Sequence, residues 1–266
     1  MKKKLTSNQK LKKKKEISNG MVSLQRDLIS KKLKDKEVYQ RLKKSTENLK
    51  INDKSGRYFL NRKFKDYNLI FSKILNNEIF NTSSVLKQDI ISTLSALERK
   101  YKKKEINVLD DGAGKGYFLS ELKEKWNSLK EKKLVSADLK TTAVSLTKTF
   151  DVKNIDFKKI GDVLNFIPKR KYDLIISVYG GFHYTQAILK KEVLLKYLYS
   201  LNKGGVAIFS FNPILLRSNL DKEHRAQVLI ALKKRGFKAD FSYLPTYLNK
   251  TIPDLPQVYL FVERVK

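Results

Sequence analysis

Three glycines alternate with other residues in the segment VLDDGAGKGYF, which runs from residue 108 to residue 118. The segment follows a short apolar run and precedes an amphipathic stretch, so it is expected to join a strand to a helix. A glycine turn at that place lets the backbone come close to a bound ligand. A dinucleotide fingerprint would need glycine where Tyr117 stands, and the four-residue gap of a phosphate-binding Walker loop is missing. The spacing therefore disfavours both of those ligand classes.

The composition excludes several kinds of chemistry. The 266-residue chain has no cysteine, which removes cysteine nucleophiles, disulfides, thiolate zinc sites and iron–sulfur clusters. Its two histidines, His183 and His224, are too few for a histidine-rich metal centre. No acidic cluster has metal-ligand spacing, so no metal site is expected.

The elements that must position the glycine turn follow from hydrophobic periodicity. Apolar residues at three- and four-residue intervals predict two leading helices within residues 58–80 and 83–103. After Lys104, short apolar runs alternate with amphipathic stretches, which indicates a parallel sheet with helices on both faces. Two late strands should add a hairpin to that sheet. The predicted strands cover residues 106–110, 133–138, 156–161, 172–178, 205–211, 237–243 and 257–265.

A strand ending in Asp110, followed by x-Gly-x-Gly-x-Gly, resembles the first motif of the class I S-adenosylmethionine-dependent methyltransferases. Asp138 ends the predicted second strand, 28 positions after Asp110, as an acid does in that family. Asp162 follows the predicted third strand, and LNKGGVAIFS is similar to the family's turn into its fifth strand. The resemblance covers residues 100–266. It implies an α/β fold with a seven-stranded Rossmann-like methyltransferase sheet and helices on both faces.

The resemblance also implies S-adenosyl-L-methionine as cofactor and gives roles to particular residues. Asp110 would order the glycine turn and support the ammonium group of the cofactor. Asp138 would accept both ribose hydroxyls, which suits a carboxylate, and Asp162 with Val163 would hold adenine. Lys115 has two readings, a contact to the cofactor carboxylate or an ordinary exposed lysine. The predicted cofactor-binding residues are Asp110, Gly112, Ala113, Gly114, Gly116, Asp138, Leu139, Asp162, Val163 and Ser177.

The residues after the fourth predicted strand bear on the substrate. Ser177-Val178-Tyr179-Gly180 replaces the Asn/Asp-Pro-Pro-Tyr of adenine amino methyltransferases, which disfavours that activity. The absence of cysteine disfavours methylation of pyrimidine carbon 5. The Lys-Asp-Lys-Glu set of one group of ribose methyltransferases is also missing.

Three residues after that strand are the candidate catalytic residues: His183, Tyr179 and Tyr184. The His183-Tyr184 pair resembles messenger-RNA cap guanine methyltransferases, although the acid expected soon after it is missing. His183 suits a general base near neutral pH, with an ordinary loop histidine as the alternative. Tyr179, Phe182 and Tyr184 could stack on an exposed base, or they could line a cofactor pocket or pack in the core.

The charge points to a polyanionic partner. The formal net charge is +30 and the sequence pI is near 10.0, which favours nucleic acid, RNA first, through contacts with phosphates. A generally lysine-rich composition is the alternative explanation. Residues 1–50 contain 17 Lys/Arg and 5 Asp/Glu, so they predict a basic extension, partly disordered or helical, that could also bind a protein.

These observations predict an extension over residues 1–55 and a methyltransferase domain over 56–266, with leading helices at 56–104 and the sheet core at 105–266. No apolar run is long enough for a membrane span, and we expect a cytoplasmic protein. The main hypothesis is a methyltransferase that acts on ribosomal or transfer RNA. The alternatives are an inactive methyltransferase fold serving as a nucleic-acid-binding subunit, and a protein methyltransferase.

Overall fold

The computed structural model describes residues 63–75, 83, 85–145, 150, 152–160, 166–178, 180, 182, 187–211, 220–244 and 257–266. Helices in this part of the chain are α1 (Phe64–Leu75), α2 (Ile90–Tyr101), α3 (Tyr117–Glu131), α4 (Ala187–Tyr199) and α5 (Leu220–Lys234). The strands are β1 (Glu105–Asp111), β2 (Asp138–Ser145), β3 (Phe157–Ile160), β4 (Tyr172–Ser177), β5 (Leu201–Phe211), β6 (Phe237–Leu244) and β7 (Gln257–Arg264). The predicted extension over 1–55 lies outside the described residues.

The strands form a seven-stranded sheet in the order β3-β2-β1-β4-β5-β7-β6. β1 to β5 are parallel to one another, and β7 runs antiparallel between β5 and β6. The strand order reverses between β1 and β4, so these two adjacent strands form the topological switch point. This is the predicted Rossmann-like methyltransferase sheet, including the late hairpin.

Helices cover the sheet on both faces, and the residues of its central strands alternate between two apolar clusters. One cluster joins α1, α2 and α3 to strand residues such as Val108 and Ile176. The other joins α4 and α5 to the opposite face, including Leu109 and Ile175. The central parallel strands β1 and β4 are therefore buried on both sides, which explains their apolar sequences, whereas the edge strand β3 is exposed.

The second strand differs from its prediction. The strand expected at 133–138 is wrong, because β2 begins at Asp138 and ends at Ser145. The backbone just before β2 is bound outside the sheet. The indole Nε1 of Trp126 donates to the carbonyl of Ala137 at 2.9 Å, and the amide of Ala137 donates to Glu98 Oε1 at 2.8 Å. Those groups cannot join the β ladder, so this segment is a connection in which Val135 and Ala137 are buried and Leu134 is exposed.

The buried carboxylate of Asp173 lies near the amino ends of β1 and β4, at the edge opposite to the glycine turn. Asp173, the second residue of β4, is fully buried and receives a hydrogen bond from the amide of Asn107 at 2.9 Å. It also accepts one from Asn202 Nδ2 at 2.9 Å and pairs with Lys103 Nζ at 2.9 Å. These partners satisfy a charge that would otherwise be expensive to bury. Asp173 thereby aligns the starts of β1, β4 and β5.

Candidate active site

The glycine turn joins β1 to α3 at the edge where the parallel strands end. Gly112, Gly114 and Gly116 have φ angles of +97°, +53° and +84°, a region that strongly favours glycine. The amides of Gly112 and Ala113 both donate to the carbonyl of Val144 in β2, at 2.9 and 3.1 Å. The turn is therefore fixed to the neighbouring strand.

Two glycines bring the turn into direct contact with the segment after β4. A Cβ atom added to Gly112 would lie 2.2 Å from the Cα of Gly180, and one added to Gly180 would lie 1.6 Å from the carbonyl oxygen of Asp111. No side chain fits between the two backbones at these distances. Ligand approach was the expected reason for the bare backbone, and this close crossing of two backbones is a second reason.

Asp111 connects the same two strands through its side chain. Its Oδ2 accepts a hydrogen bond from Ser177 Oγ at 2.8 Å and another from the amide of Phe182 at 3.1 Å. Asp111 and Ser177 are both buried. The carboxylate holds the residues after β4 against the end of β1, so it shapes the site at the switch point. Sequence reasoning missed Asp111, although the paired aspartates in VLDDG were a visible signal.

Asp110 precedes this residue on β1 and is fully buried. Side chains alternate along a strand, so Asp110 lies on the opposite face of the sheet from Asp111. It stands beside the glycine turn, as the sequence predicted, and its role toward a cofactor ammonium group stays a prediction.

The third glycine of the turn is packed by the connection that leads to β3. A Cβ atom on Gly116 would lie 2.5 Å from Ile155 Cδ1 and 2.9 Å from Val152 Cγ2. Gly116 is also the N-cap of α3, so the amino end of that helix begins at the turn. Helix amino ends carry partial positive charge and favour a carboxylate.

The predicted ribose-binding residue lies at the wrong edge. Asp138 is the first residue of β2 and pairs with Glu105, the first residue of β1. The strand then runs for seven more residues to Ser145, which places Asp138 roughly 23 Å from the glycine turn at about 3.3 Å per residue. Leu139 follows it in the core and is buried. Neither residue reaches the turn, because the strand begins where the sequence predicted that it would end.

At its actual position Asp138 forms an ion pair with Lys130 from the last turn of α3. The hydrogen bond and charge of Lys130 hold the pKa of Asp138 below its ordinary value. The side chain is 58% exposed, so we assign this pair a surface role.

Ser145 occupies the position at which an acid was expected. It ends β2 and is buried, and Val144 beside it accepts the two amides of the glycine turn. A serine hydroxyl can both donate and accept hydrogen bonds but carries no charge. The end of β2 therefore presents a neutral polar group to this part of the site.

Several predicted site residues fall outside the described part of the chain. They are the candidate catalytic residues Tyr179, His183 and Tyr184 and the predicted adenine-binding residues Asp162 and Val163. Among the neighbours that are described, Phe182 packs its ring against Phe209 at 4.9 Å between centroids, so it belongs to the core. No group of three or more potential metal ligands occurs among the described residues.

A separate cavity of about 790 Å³ lies between the end of α1, the segment before α2, α2 itself and the end of α3. Its lining includes Leu86, Ser92, Arg99 and Leu134, and no residue of the glycine turn. This cavity is not the predicted cofactor site, because neither the glycine turn nor the ends of β1 and β4 line it. Across the helices that the structure describes, none has the length and apolar character needed to cross a membrane.

Known structures with a similar fold are methyltransferases by name. A protein from Listeria monocytogenes assigned to the class I S-adenosylmethionine-dependent methyltransferases has a TM-score of 0.45 and 18% identity, covering 91% of this chain and 79% of its own. The N-methyltransferase NodS from Bradyrhizobium japonicum, in complex with S-adenosylhomocysteine, has a TM-score of 0.39 and 13% identity, covering 75% and 98%. An rRNA methylase from Streptococcus thermophilus has a TM-score of 0.40 and 16% identity, covering 68% and 99%.

No protein-family model matches this chain, and no curated protein matches its sequence. The fold is an α/β Rossmann-like fold with a seven-stranded mixed sheet, helices on both faces and a glycine turn at the switch point.

Proposed function

We propose that the chain is an S-adenosylmethionine-dependent methyltransferase that acts on RNA, ribosomal or transfer RNA first. The observation that carries the enzyme class is the glycine turn at the switch point between β1 and β4. Ligands of open α/β sheets bind at that place, outside the carboxyl ends of the strands. This substrate class implies a cytoplasmic location.

The residues around the turn fit the methionine portion of the cofactor. Gly114 places no side chain between the backbone and a ligand, and the amino end of α3 favours a carboxylate. Ser177 and the backbone of Gly180 lie beside the turn, where hydrogen bonds to Asp111 hold this segment, and they are proposed to border the reactive methyl group. When bound, the cofactor supplies an electrophilic methyl group attached to sulfur.

The site's own contribution to methyl transfer is orientation and exclusion of water. The hydrogen bonds from Ser177 Oγ and the Phe182 amide to Asp111 fix the end of β4 next to the turn. A rigid wall at that position holds an incoming nucleophile in line, which is the principal requirement of a displacement. His183 is the proposed base if the target nitrogen or oxygen must lose a proton.

The ribose contact is proposed to differ from the sequence expectation. Asp138 starts β2 at the far edge, and the hydroxyl of Ser145, which ends β2, is proposed to take its place beside the ribose. A neutral hydroxyl forms weaker hydrogen bonds than a carboxylate does. We therefore expect the affinity for S-adenosylmethionine to be modest.

An RNA substrate is supported by the net charge of +30. Lysine and arginine that neutralise phosphates gain affinity from counterion release, and a small neutral substrate would not need such a surface. A cap guanine is a narrower version of the same proposal. The two alternatives, an inactive nucleic-acid-binding subunit and a protein methyltransferase, make different predictions for cofactor binding and for methyl transfer.

The experiment is calorimetric titration of the full chain with S-adenosylmethionine, followed by transfer of tritium-labelled methyl groups into total RNA and total protein. Label in RNA supports the proposal. Label that appears in protein but not in RNA supports the alternative, a protein methyltransferase. A folded protein that binds no cofactor contradicts the enzyme assignment. Asp111→Asn should reduce both binding and transfer, whereas the matched change Asp138→Asn should affect neither.

A further inference from the structure

The edge at which the parallel strands begin has an unusual concentration of basic residues. We define the amino-terminal edge by four segments: 99–104 (RKYKKK), 130–133 (KEKK), 169–171 (KRK) and 233–235 (KKR). They lead into β1, β2, β4 and β6 respectively. The pairing of β5 with β7 and of β7 with β6 makes β6 parallel to β5, so all four segments lie at one edge of the sheet.

The basic side chains of this edge are available to a partner. Lys102, Lys104, Lys132, Lys169 and Lys234 are all exposed. The exposed carboxylates at this edge are Glu105, Glu131 and Asp138. Asp138 pairs with Lys130, and Glu105 lies 3.9 Å from Arg170, so the remaining lysines keep the edge positively charged. Two further carboxylates are buried and bind other groups. Glu98 is buried and binds the connection before β2, and buried Asp173 takes Lys103.

Helix dipoles explain only part of these basic residues. Basic residues in the last turn of a helix offset its partial negative charge, which accounts for Arg99 and Lys100 in α2, Lys130 in α3, and Lys233 and Lys234 in α5. It does not account for residues 102–104, which follow α2, or for residues 169–171, which enter β4 outside any described helix.

Two lysines of this edge adopt a left-handed backbone conformation, which usually favours glycine. Lys102 and Lys133 have φ angles of +49° and +58°, and they follow the ends of α2 and α3. Glycine is the usual residue in this conformation at a helix end, and a residue with a Cβ costs about 1 kcal/mol there. A charged side chain is therefore present at two positions that favour glycine.

An aromatic ring stands among these charges. Tyr199 ends α4, just before β5, and 52% of its surface is exposed. The ammonium group of Lys171 donates to its backbone carbonyl, so the tyrosine belongs to the same edge. A phosphate-binding surface with an exposed ring is typical of proteins that bind the backbone and bases of single-stranded nucleic acid.

We propose that the amino-terminal edge is a nucleic-acid-binding surface, in which the lysines contact phosphates and Tyr199 stacks on an unpaired base. β1 has seven residues, so this surface lies about 20 Å from the glycine turn. A nucleic acid that reaches both edges must be several nucleotides long. The choice of RNA rests on the proposed function, while binding at this edge does not require methyl transfer.

The test measures binding of total transfer RNA, and of a single-stranded RNA and a DNA of equal length, to the full chain by fluorescence anisotropy. Residues 104, 132, 169 and 234 are changed together from Lys to Gln. The matched control makes the same four changes at exposed lysines outside both edges, residues 63, 65, 87 and 125. Circular dichroism checks folding, and the double variant Lys104→Gln/Lys169→Gln replaces the quadruple one if that does not fold.

We expect the edge variant to lose at least about tenfold in affinity for transfer RNA, and the control less than about threefold. Loss of four phosphate contacts should reduce the salt slope by about 3, at roughly 0.7 to 0.9 per contact. Tyr199→Leu should weaken binding of single-stranded RNA severalfold more than binding of heparin, a polyanion without bases. Preference for RNA over DNA supports the substrate class.

Equal losses in the edge and control variants would overturn the proposal, because binding would then follow overall charge. The proposal would also be overturned if poly-glutamate competed for this surface as effectively as nucleic acid does. That result would indicate an acidic protein as the partner. Calorimetry with S-adenosylmethionine separates this proposal from the enzyme assignment. If the cofactor does not bind but the edge variant still loses RNA affinity, the enzyme assignment fails and the surface stands.

Discussion

Gly180→Ala tests the crossing between the glycine turn and the segment after β4. Gly180 does not have a positive φ angle, so alanine causes no conformational strain of its own and the effect is purely steric. The new Cβ would lie 1.6 Å from the carbonyl oxygen of Asp111, 2.6 Å from its carbonyl carbon and 3.1 Å from Ser177 Oγ. Ordinary contact begins at 3.4 Å, so the two backbones must separate by nearly 2 Å.

That separation would break buried hydrogen bonds. The Ser177 Oγ and Phe182 amide bonds to Asp111 measure 2.8 and 3.1 Å, and both would stretch well beyond 3.5 Å. A hydrogen bond to a charged group contributes about 1.5 to 3 kcal/mol. We expect Gly180→Ala to lower the free energy of unfolding by at least about 3 kcal/mol, which corresponds to a fall in Tm of about 6 to 12 °C for a domain of this size.

Differential scanning calorimetry measures Tm, and titration with S-adenosylmethionine measures whether the site survives. Gly236→Ala is the matched control, because Gly236 has a φ angle of +83° and its Cβ would meet only the side chain of Lys266, at the chain end, at 2.9 Å. The control should lose about 1 kcal/mol and keep its cofactor affinity. A Gly180→Ala protein with a Tm within about 2 °C of the parent and unchanged affinity would refute the steric argument.

Three further changes test other parts of the structure. Asp138→Ala should change the affinity for S-adenosylmethionine less than twofold by calorimetry, and a tenfold loss would mean that β2 ends where the sequence predicted. Glu98→Ala should lower the free energy of urea unfolding by about 2 to 4 kcal/mol, because it leaves the Ser136 hydroxyl and Ala137 amide without their acceptor; Glu124→Ala is the control. Burial raises the pKa of Glu263 above its ordinary value of 4.5, so the free energy of unfolding should fall as pH rises from 4.5 through the raised pKa. Glu263→Gln should remove that slope, and an unchanged slope would show that another group causes it.

Local patterns predicted most of the architecture. The alternation of apolar runs with amphipathic stretches placed β1, β4, β6 and β7 within a residue or two of their observed bounds. The glycine spacing correctly located the turn after β1, because three left-handed positions within five residues can hardly be filled by other residue types.

The same reasoning was wrong for β2, and the cause is a long-range one. LVSAD has the composition of a strand, yet Glu98 and Trp126 bind its backbone from two helices, and the strand starts only after them. No local property of that segment predicts hydrogen-bond partners that lie 39 and 11 residues away in the sequence. The error moved the predicted ribose-binding acid from one edge of the sheet to the other.

The sequence by itself determined the fold class, the position of the glycine turn and the excess of positive charge, because hydrophobic period, glycine content and charge are properties of short segments. Tertiary structure alone decided that Asp111 joins β1 to the end of β4, that Ser145 rather than Asp138 stands at the carboxyl edge, and that four separate basic segments meet at the opposite edge. These features depend on strand register and on contacts between residues far apart in the chain. A shift of a few residues in one strand relocates a side chain by the length of the sheet, so only the pairing of the strands could place them.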